Sequence, residues 1–300
     1  MNTSTQRLVK ADIQTYLKSR SNTETLNYHT VWHHVSQALG TGGIVGITTF
    51  HDLRYEQALE ATERQGIEIR SLGNAFHVEP YDLLVIKCQR IMTQQGDIEA
   101  IGVRGRHVIP ERLSLEETIK AIKDEGAIIN VPNPFHQRGL GPYLKQHPER
   151  LEDIHALTVY SGEGAFWIPF LVPDGAKQDP NTQALEYYLA IKEECHHLGA
   201  VTASNSSNFK NIGTSYTNIR VPLIYETLQT SEDITSMLAK TLPETHPNAA
   251  CQQPLQLAAL RHQMLVVFDN NIPLVSQFVQ KHSHLMEAHK EFEEVLKRKK

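Results

Sequence analysis

The stretch His197-Leu-Gly-Ala-Val-Thr-Ala-Ser-Asn-Ser-Ser-Asn-Phe209 contains, in direct succession, the end of a helix, a glycine turn, a short apolar strand and a polar loop. This succession is typical of chains in which helices and strands alternate. In such folds, loops at the carboxyl ends of strands hold the functional side chains. This loop has only hydroxyl and amide side chains, without a carboxylate or a histidine. We therefore expect a functional position from which the charged groups have been lost.

The alternation of strands and helices extends along most of the chain. Gly43-Ile-Val-Gly-Ile-Thr-Thr49 and Ala127-Ile-Ile-Asn-Val131 have the β-branched composition of buried strands. Ser114 and Glu117 form the capping-box pattern that begins a helix. Further strands are predicted at residues 25–29, 82–87, 98–103 and 155–160, and helices at 30–39, 53–65, 114–125 and 182–197. The strands at 82–87 and 98–103 are expected to form a hairpin around the turn Gly96-Asp97. The pattern predicts an α/β barrel or a parallel sheet.

Both ends of the chain are predicted to be helical. Residues 5–19 have apolar side chains at helical spacing, namely Leu8, Ile13, Tyr16 and Leu17. The strand signal fades after residue 225, and helices are predicted from Thr230, at 255–268 and at 272–300. We expect a barrel domain at 1–224, which includes the N-terminal helix, and a C-terminal helical extension at 225–300. Apolar positions in the last helix predict a surface for a partner protein or for a second copy of the chain.

Composition restricts the classes of partner and compartment. The net charge is −5, from 29 basic and 34 acidic residues, so nucleic acid or an anionic membrane is not indicated. No apolar run reaches the length of a membrane span, and the first residues lack the pattern of a signal peptide. The three cysteines are widely spaced, which favours reduced thiols. A cytoplasmic location is therefore expected.

Five short segments, taken in order, resemble the motifs of the PHP (polymerase and histidinol phosphatase) family of metal-dependent phosphoesterases. They are Leu26-Asn-Tyr-His-Thr30, Gly43-Ile-Val-Gly-Ile-Thr48, the hairpin-like stretch 85–102, Ala121-Ile-Lys-Asp-Glu-Gly-Ala-Ile-Ile-Asn-Val-Pro-Asn-Pro-Phe135, and Leu198-Gly-Ala-Val-Thr-Ala-Ser-Asn-Ser-Ser207. The resemblance covers about residues 25–220. It implies a distorted, TIM-like (β/α)7 barrel. It also implies a cluster of histidine, aspartate and glutamate at the strand ends that holds two or three metal ions and activates water.

At most of the positions where the resemblance places metal ligands, this chain has other residues. His29 is kept from the opening histidine pair, while the remaining positions hold Asn27, Arg90, Asn133, Asn205 and Ser207. Closely spaced divalent cations need several carboxylates, and a guanidinium repels them. The six positions are therefore candidates for binding a ligand without a metal.

Two functions are compatible with these substitutions. The first is a non-catalytic binding, regulatory or scaffolding protein without a cofactor, whose partner is another protein or a small anionic ligand. The alternative is a metal-dependent hydrolase of phosphoesters with an altered site, in which His29, His34 and His51 hold one divalent metal such as zinc. Arg90 could bind an anion or form a salt bridge with a nearby carboxylate. The loop 204–208 could hold a phosphate or a sugar, or serve only as a turn.

Overall fold

A computed structural model describes residues 6–17, 26–50, 52–104, 108–162, 179–222 and 228–247. The chain divides into two compact units, Met1–Gln253 and Pro254–Lys300, and every described residue belongs to the first. The helices predicted at 255–268 and 272–300 fall outside the described residues. None of the described helices combines the length and the apolar composition that a membrane crossing requires.

Within the described ranges, ten strands form one sheet. The strands are β1 (Gln6–Thr15), β2 (Gly43–Thr49), β3 (Ile69–Ser71), β4 (Ala75–Val78), β5 (Leu83–Met92), β6 (Asp97–Ile101), β7 (Ile128–Val131), β8 (Ala156–Ser161), β9 (Gly199–Ala203) and β10 (Thr217–Pro222). Their order is β10-β1-β2-β5-β6-β7-β8-β9, with β4 on the first half of β5 and β3 beside β4. β1, β2, β5, β7, β8 and β9 run in one direction, and β6 runs antiparallel between β5 and β7.

The two ends of this strand order approach each other, because β10 and its neighbour β1 both contact β9 or the loop after it. The backbone N–H of Tyr16 donates to the carbonyl oxygen of Ser206 (2.8 Å), directly after the two strands. The hydroxyl of Thr217 in β10 accepts from the backbone N–H of Thr202 (2.7 Å) and donates to its carbonyl (3.0 Å). The sheet therefore curves into a nearly closed barrel, which confirms the predicted α/β barrel class.

Six α-helices accompany the sheet in the same ranges: α1 (Tyr28–Leu39), α2 (Arg54–Arg64), α3 (Leu115–Asp124), α4 (Gly141–Gln146), α5 (Pro180–Ile191) and α6 (Ser231–Thr241). Their starts follow from local capping. The side chain of Asn27 accepts from the N–H of Thr30, and both Ser114 and Thr230 open complete capping boxes. The predicted helices at 30–39, 53–65 and 114–125 are confirmed to within two residues, while α5 is shorter than the predicted 182–197.

Apolar side chains form three clusters that separate the inside of the barrel from its outside. One cluster joins residues from nearly every strand, such as Ile44, Leu84 and Ala156, with Ile234 and Leu238 of α6. Outside the barrel, one cluster packs α1 and α2 mainly against β2 and β5, and the other packs α3, α4 and α5 mainly against β6 to β9. Because α6 joins the inner cluster, it closes the end of the barrel at which the parallel strands begin. The sheet and α6 thus belong to the same compact unit, Met1–Gln253.

The N-terminal helix predicted at residues 5–19 is wrong, because Gln6–Thr15 forms strand β1. This strand pairs with β2 on one edge and β10 on the other, and such pairing overrides a helical spacing of apolar residues. Leu8, one of the residues that suggested a helix, is 64% exposed. The strand predicted at 25–29 is also wrong, since Tyr28 begins α1. Strands β3, β4 and β10 were not predicted.

Candidate functional site

The carboxyl ends of the six parallel strands meet at the end of the barrel opposite α6, and we call this end the mouth. Tyr16 follows β1, Phe50 follows β2 and Asn205 follows β9. Arg90 lies near the end of β5, and Asp97 begins the antiparallel strand β6 at the same level. This is the end of an α/β barrel at which functional side chains converge.

Below the mouth, polar side chains from six strands form a layer inside the barrel, and those from β1, β2, β6, β7 and β8 are joined by hydrogen bonds. Arg90, Glu99 and Asn130 are directly opposite one another across β5, β6 and β7, so their side chains share one face. The carboxylate of Glu99 accepts from the hydroxyl of Thr48 (3.0 Å) and from the amide of Asn130 (2.9 Å). Asn130 also donates to Thr158, whose hydroxyl donates to the side chain of Gln14.

Glu99 is the carboxyl group at the centre of this polar layer and is fully buried. Burial raises its pKa to about 7, and the hydrogen bonds from Asn130 and Thr48 and the charge of Arg90 limit the rise. Burial thus keeps Glu99 protonated to a higher pH than an exposed glutamate.

Arg90 connects this layer to the mouth. Its Nε atom donates to Oδ2 of Asp97 (3.1 Å), and Nη1 donates to the hydroxyl of Tyr16 (2.8 Å). Burial alone would lower the pKa of Arg90, but the neighbouring Tyr16 and Asp97 raise it above its ordinary value, so the guanidinium stays charged. Of the two roles predicted for Arg90, the salt bridge is present.

Asp97 holds a second guanidinium. Its Oδ1 atom lies 3.2 Å from Nε of Arg138, which belongs to the loop between β7 and α4. The backbone fixes the same contact, because the N–H of Asp97 donates to the carbonyl of Arg138 (2.8 Å) and Asp97 forms a bridge with Gly139. A side chain at Gly139 would overlap the carbonyl oxygens of Asn133 and Pro134, so the turn requires glycine at this position.

The two asparagines predicted at the strand ends, Asn133 and Asn205, are buried and adopt left-handed backbone conformations (φ +46° and +53°). Asparagine tolerates this conformation better than most residues. The buried Oδ1 atom of Asn133 has no hydrogen-bond partner among the described residues. Ser207 is half-buried, and its neighbours Ser206 and Asn208 bond to each other within the turn.

The structure places Asn27 and His29 away from these residues, on helix α1. Asn27 is exposed and caps the helix. His29 is exposed, and its ring nitrogens lie 3.3 Å from the hydroxyl of Tyr81 and 3.3 Å from the carbonyl of Gln65. Nε2 of His34 lies 3.0 Å from the carbonyl of Lys210. His51 lies outside the described residues.

Residues 12–16, and not residues 26–30, therefore occupy the end of the first barrel strand. Sequence reasoning missed Asp12, Gln14 and Tyr16 there, together with Glu99 and Arg138. The signal available for the first three was a polar residue at alternate positions of an apolar strand, Asp12 and Gln14 between Ala11, Ile13 and Thr15.

Among the described residues, the donors inside the barrel do not fit the cluster of two or three metal ions that the PHP resemblance implies. Glu99 is the carboxylate of the polar layer, and its neighbours there are amides, hydroxyls and the guanidinium of Arg90. Across the described part of the chain, no group of three or more histidine, cysteine, aspartate or glutamate residues is arranged to hold a metal ion. Several anionic ligands are needed to hold neighbouring divalent cations.

Comparisons with known proteins agree with the barrel architecture. No protein-family model matches the chain. A segment of 93 residues, 31% of this chain, is 36% identical to the protein MJ1587 of Methanocaldococcus jannaschii, and it spans 47% of that protein. The crystal structure of PsfC from Pseudomonas syringae is similar over 87% of this chain and 99% of that chain, with a TM-score of 0.57 and 12% identity. The two proteins share a fold.

A weaker likeness is to a two-domain protein from Bacteroides vulgatus that contains a predicted PHP-like metal-dependent phosphoesterase. It covers 76% of this chain and 64% of that chain, with a TM-score of 0.44 and 15% identity.

Proposed function

We propose that this chain is a PHP-like barrel without the metal cluster of a phosphoesterase, and that it acts as a binding or regulatory protein whose mouth takes a small anionic ligand. The observation that carries the proposal is the position of Arg90. Its guanidinium faces the barrel interior beside Glu99 and is fixed by Asp97 and Tyr16.

A guanidinium in this position opposes a metal cluster in two ways. It repels a divalent cation, and it neutralises the carboxylate charge that would attract one. The other polar groups of the layer, such as Asn130 and Thr48, are neutral and already bonded to Glu99. Activation of a water nucleophile by a metal requires an ion with an open coordination position. The donors described inside the barrel favour binding of an anion over that chemistry.

The test is metal analysis of the full-length protein purified without chelator, together with a phosphatase assay. We expect less than about 0.1 metal ion per chain after dialysis, since structural zinc would be retained at such a step. We also expect no hydrolysis of p-nitrophenyl phosphate when zinc, manganese or magnesium is added. Retention of one or more metal ions per chain, with hydrolysis that a chelator abolishes, would refute the proposal.

The same measurement addresses the alternative hydrolase with a histidine site. If a metal ion is retained, the variants His29→Ala and His34→Ala identify its ligands. Unchanged occupancy in both variants would exclude these two residues from the site. Occupancy that falls in both would support the altered hydrolase instead.

A further inference from the structure

We infer that Arg90 and Arg138 together form a single oxyanion-binding site at the mouth, with Asp97 as the positioning residue that holds both guanidiniums. This inference rests on the proposed function and specifies its ligand as a molecule with a phosphate or carboxylate group.

The first support is the way in which Asp97 is shared. Oδ2 of Asp97 accepts from Nε of Arg90, and Oδ1 lies 3.2 Å from Nε of Arg138 as the second ion pair. The oxygens of one carboxylate are close together, so the two guanidiniums are neighbours. The hydrogen bond from the backbone N–H of Asp97 to the carbonyl of Arg138 fixes the position of the Arg138 backbone beside the start of β6.

The second support is which nitrogen atoms are used. Nε of Arg90 donates to Asp97 and its Nη1 donates to Tyr16, while Nε of Arg138 forms an ion pair with Asp97. Nη2 of Arg90 and both Nη atoms of Arg138 make no hydrogen bond to another residue of the described ranges. A guanidinium has five N–H donors, and its terminal pair matches the spacing of two phosphate or carboxylate oxygens. The arrangement thus leaves terminal donors of two oriented guanidiniums for a ligand.

The third support is charge. Two guanidiniums share one carboxylate, so this group of three residues has a net charge of +1 when all three are ionised. Arg90 is largely buried, whereas Arg138 is about half exposed. Charge-assisted hydrogen bonds are strongest where water is partly excluded. A ligand that bridges the two arginines would have one end in such an environment.

The test is isothermal titration calorimetry of the full-length protein in excess EDTA, with inorganic phosphate and, separately, acetate. Saturable binding of either anion below about 10 mM is expected, and the two titrations distinguish a phosphate ligand from a carboxylate ligand. Arg138→Gln should weaken the binding at least about tenfold, since a charge-assisted bidentate contact is lost. Arg90→Lys, which keeps the buried charge, should weaken it as well.

Arg220→Gln is the matched control, because Arg220 is an exposed arginine of β10 paired with Glu244. It should leave the affinity unchanged. Equal losses in Arg138→Gln and Arg220→Gln, or wild-type affinity in Arg138→Gln, would overturn the inference. Absence of saturable binding of both anions would overturn it too and leave the lack of a metal cluster intact. Binding that appears only when a metal ion is added would instead overturn the proposed function.

Discussion

Glu99 and Arg90 lie directly opposite each other on the antiparallel strands β6 and β5, inside the barrel. Glu99 is fully buried and Arg90 nearly so, yet the hydrogen bonds of Arg90 go to Asp97 and Tyr16. The carboxylate of Glu99 is instead held by the neutral donors Thr48 and Asn130. The barrel therefore contains a buried acid whose ionisation is only partly compensated.

We predict that this acid makes the protein less stable as the pH rises from about 4.5 to about 7. The folded-state pKa of Glu99 is about 7 and its ordinary value is 4.5, so the folded protein binds the proton more tightly than the unfolded chain. The stabilisation is complete below the lower value and is lost as the pH passes the upper one. The free energy of unfolding should fall by about 3 kcal/mol from this residue. Urea unfolding between pH 5 and 9 measures it.

Glu99→Gln should remove this part of the pH profile, because glutamine stays neutral. At low pH the variant should be less stable than the wild type by about 1 kcal/mol, since one accepted hydrogen bond is lost. Glu63→Gln, an exposed change on α2, is the control and should keep the wild-type profile. A profile in Glu99→Gln that falls in parallel with the wild type between pH 5 and 7 would contradict the prediction.

A second buried acid, Asp12, fastens the loop after β9 to β1. Its two oxygens accept from the backbone N–H groups of Ser204 (3.0 Å) and Gly213 (2.8 Å). Burial raises its pKa to about 6, and these hydrogen bonds limit the rise. Asp12→Ala leaves one buried and one part-buried N–H group without an acceptor, so we expect a loss of about 2–4 kcal/mol in the free energy of unfolding.

Hydrogen exchange locates this effect. The amides of Ser204 and Gly213 should exchange faster in Asp12→Ala than in the wild type, relative to amides of α3. Asp12→Asn retains one acceptor and should lie between the two proteins. Unchanged protection of both amides in Asp12→Ala would show that the loop is held by other contacts.

These residues also indicate which parts of the fold could be predicted from the sequence. The boundaries of α3 follow from Ser114 and Glu117, because a capping box is local, and the strand Gly43–Thr49 follows from its apolar composition. β1 could not be predicted in this way, since its conformation depends on β2 and β10 at its two edges. A helical spacing of apolar residues carries no information about such pairing.

The site was predictable to a similar extent. Arg90 was recognised because it stands where the resemblance places a metal ligand. Its contacts with Asp97 and Tyr16 could be predicted only with the register of β5 and β6 and with the correct assignment of β1 as a strand. Arg138 reaches Asp97 from an irregular loop, for which the sequence has no periodic signal. Contacts between distant loops depend on the closed barrel and not on local pattern.

The buried ion pair between Glu56 of α2 and Lys87 of β5 should be important for stability. Nζ of Lys87 lies 2.6 Å from Oε1 of Glu56, and both side chains are largely excluded from solvent. Removal of one partner leaves the other charge buried, so Glu56→Ala and Lys87→Ala should each cost about 3–5 kcal/mol. The double change Glu56→Met with Lys87→Met should cost much less than the sum of the two single losses.

A double-mutant cycle by urea unfolding measures the coupling. The exposed pair Arg220 and Glu244 (3.7 Å) is the matched comparison, for which we expect a coupling below about 1 kcal/mol. Additive losses at Glu56 and Lys87 would mean that the pair is not coupled and that each side chain acts through its own packing.

Tyr16 tests whether the end of β1 belongs to the mouth. Its hydroxyl accepts from Arg90, and its ring stacks on Phe50 with centroids 5.4 Å apart. Tyr16→Phe keeps the stack and removes the acceptor, so the free energy of unfolding should fall by about 1–3 kcal/mol. The affinity for inorganic phosphate should also fall, because Arg90 loses one of the two contacts that orient it. His29→Ala on the outer helix α1 should leave that affinity unchanged. A loss of phosphate binding in His29→Ala, with none in Tyr16→Phe, would move the site from the end of β1 to the start of α1.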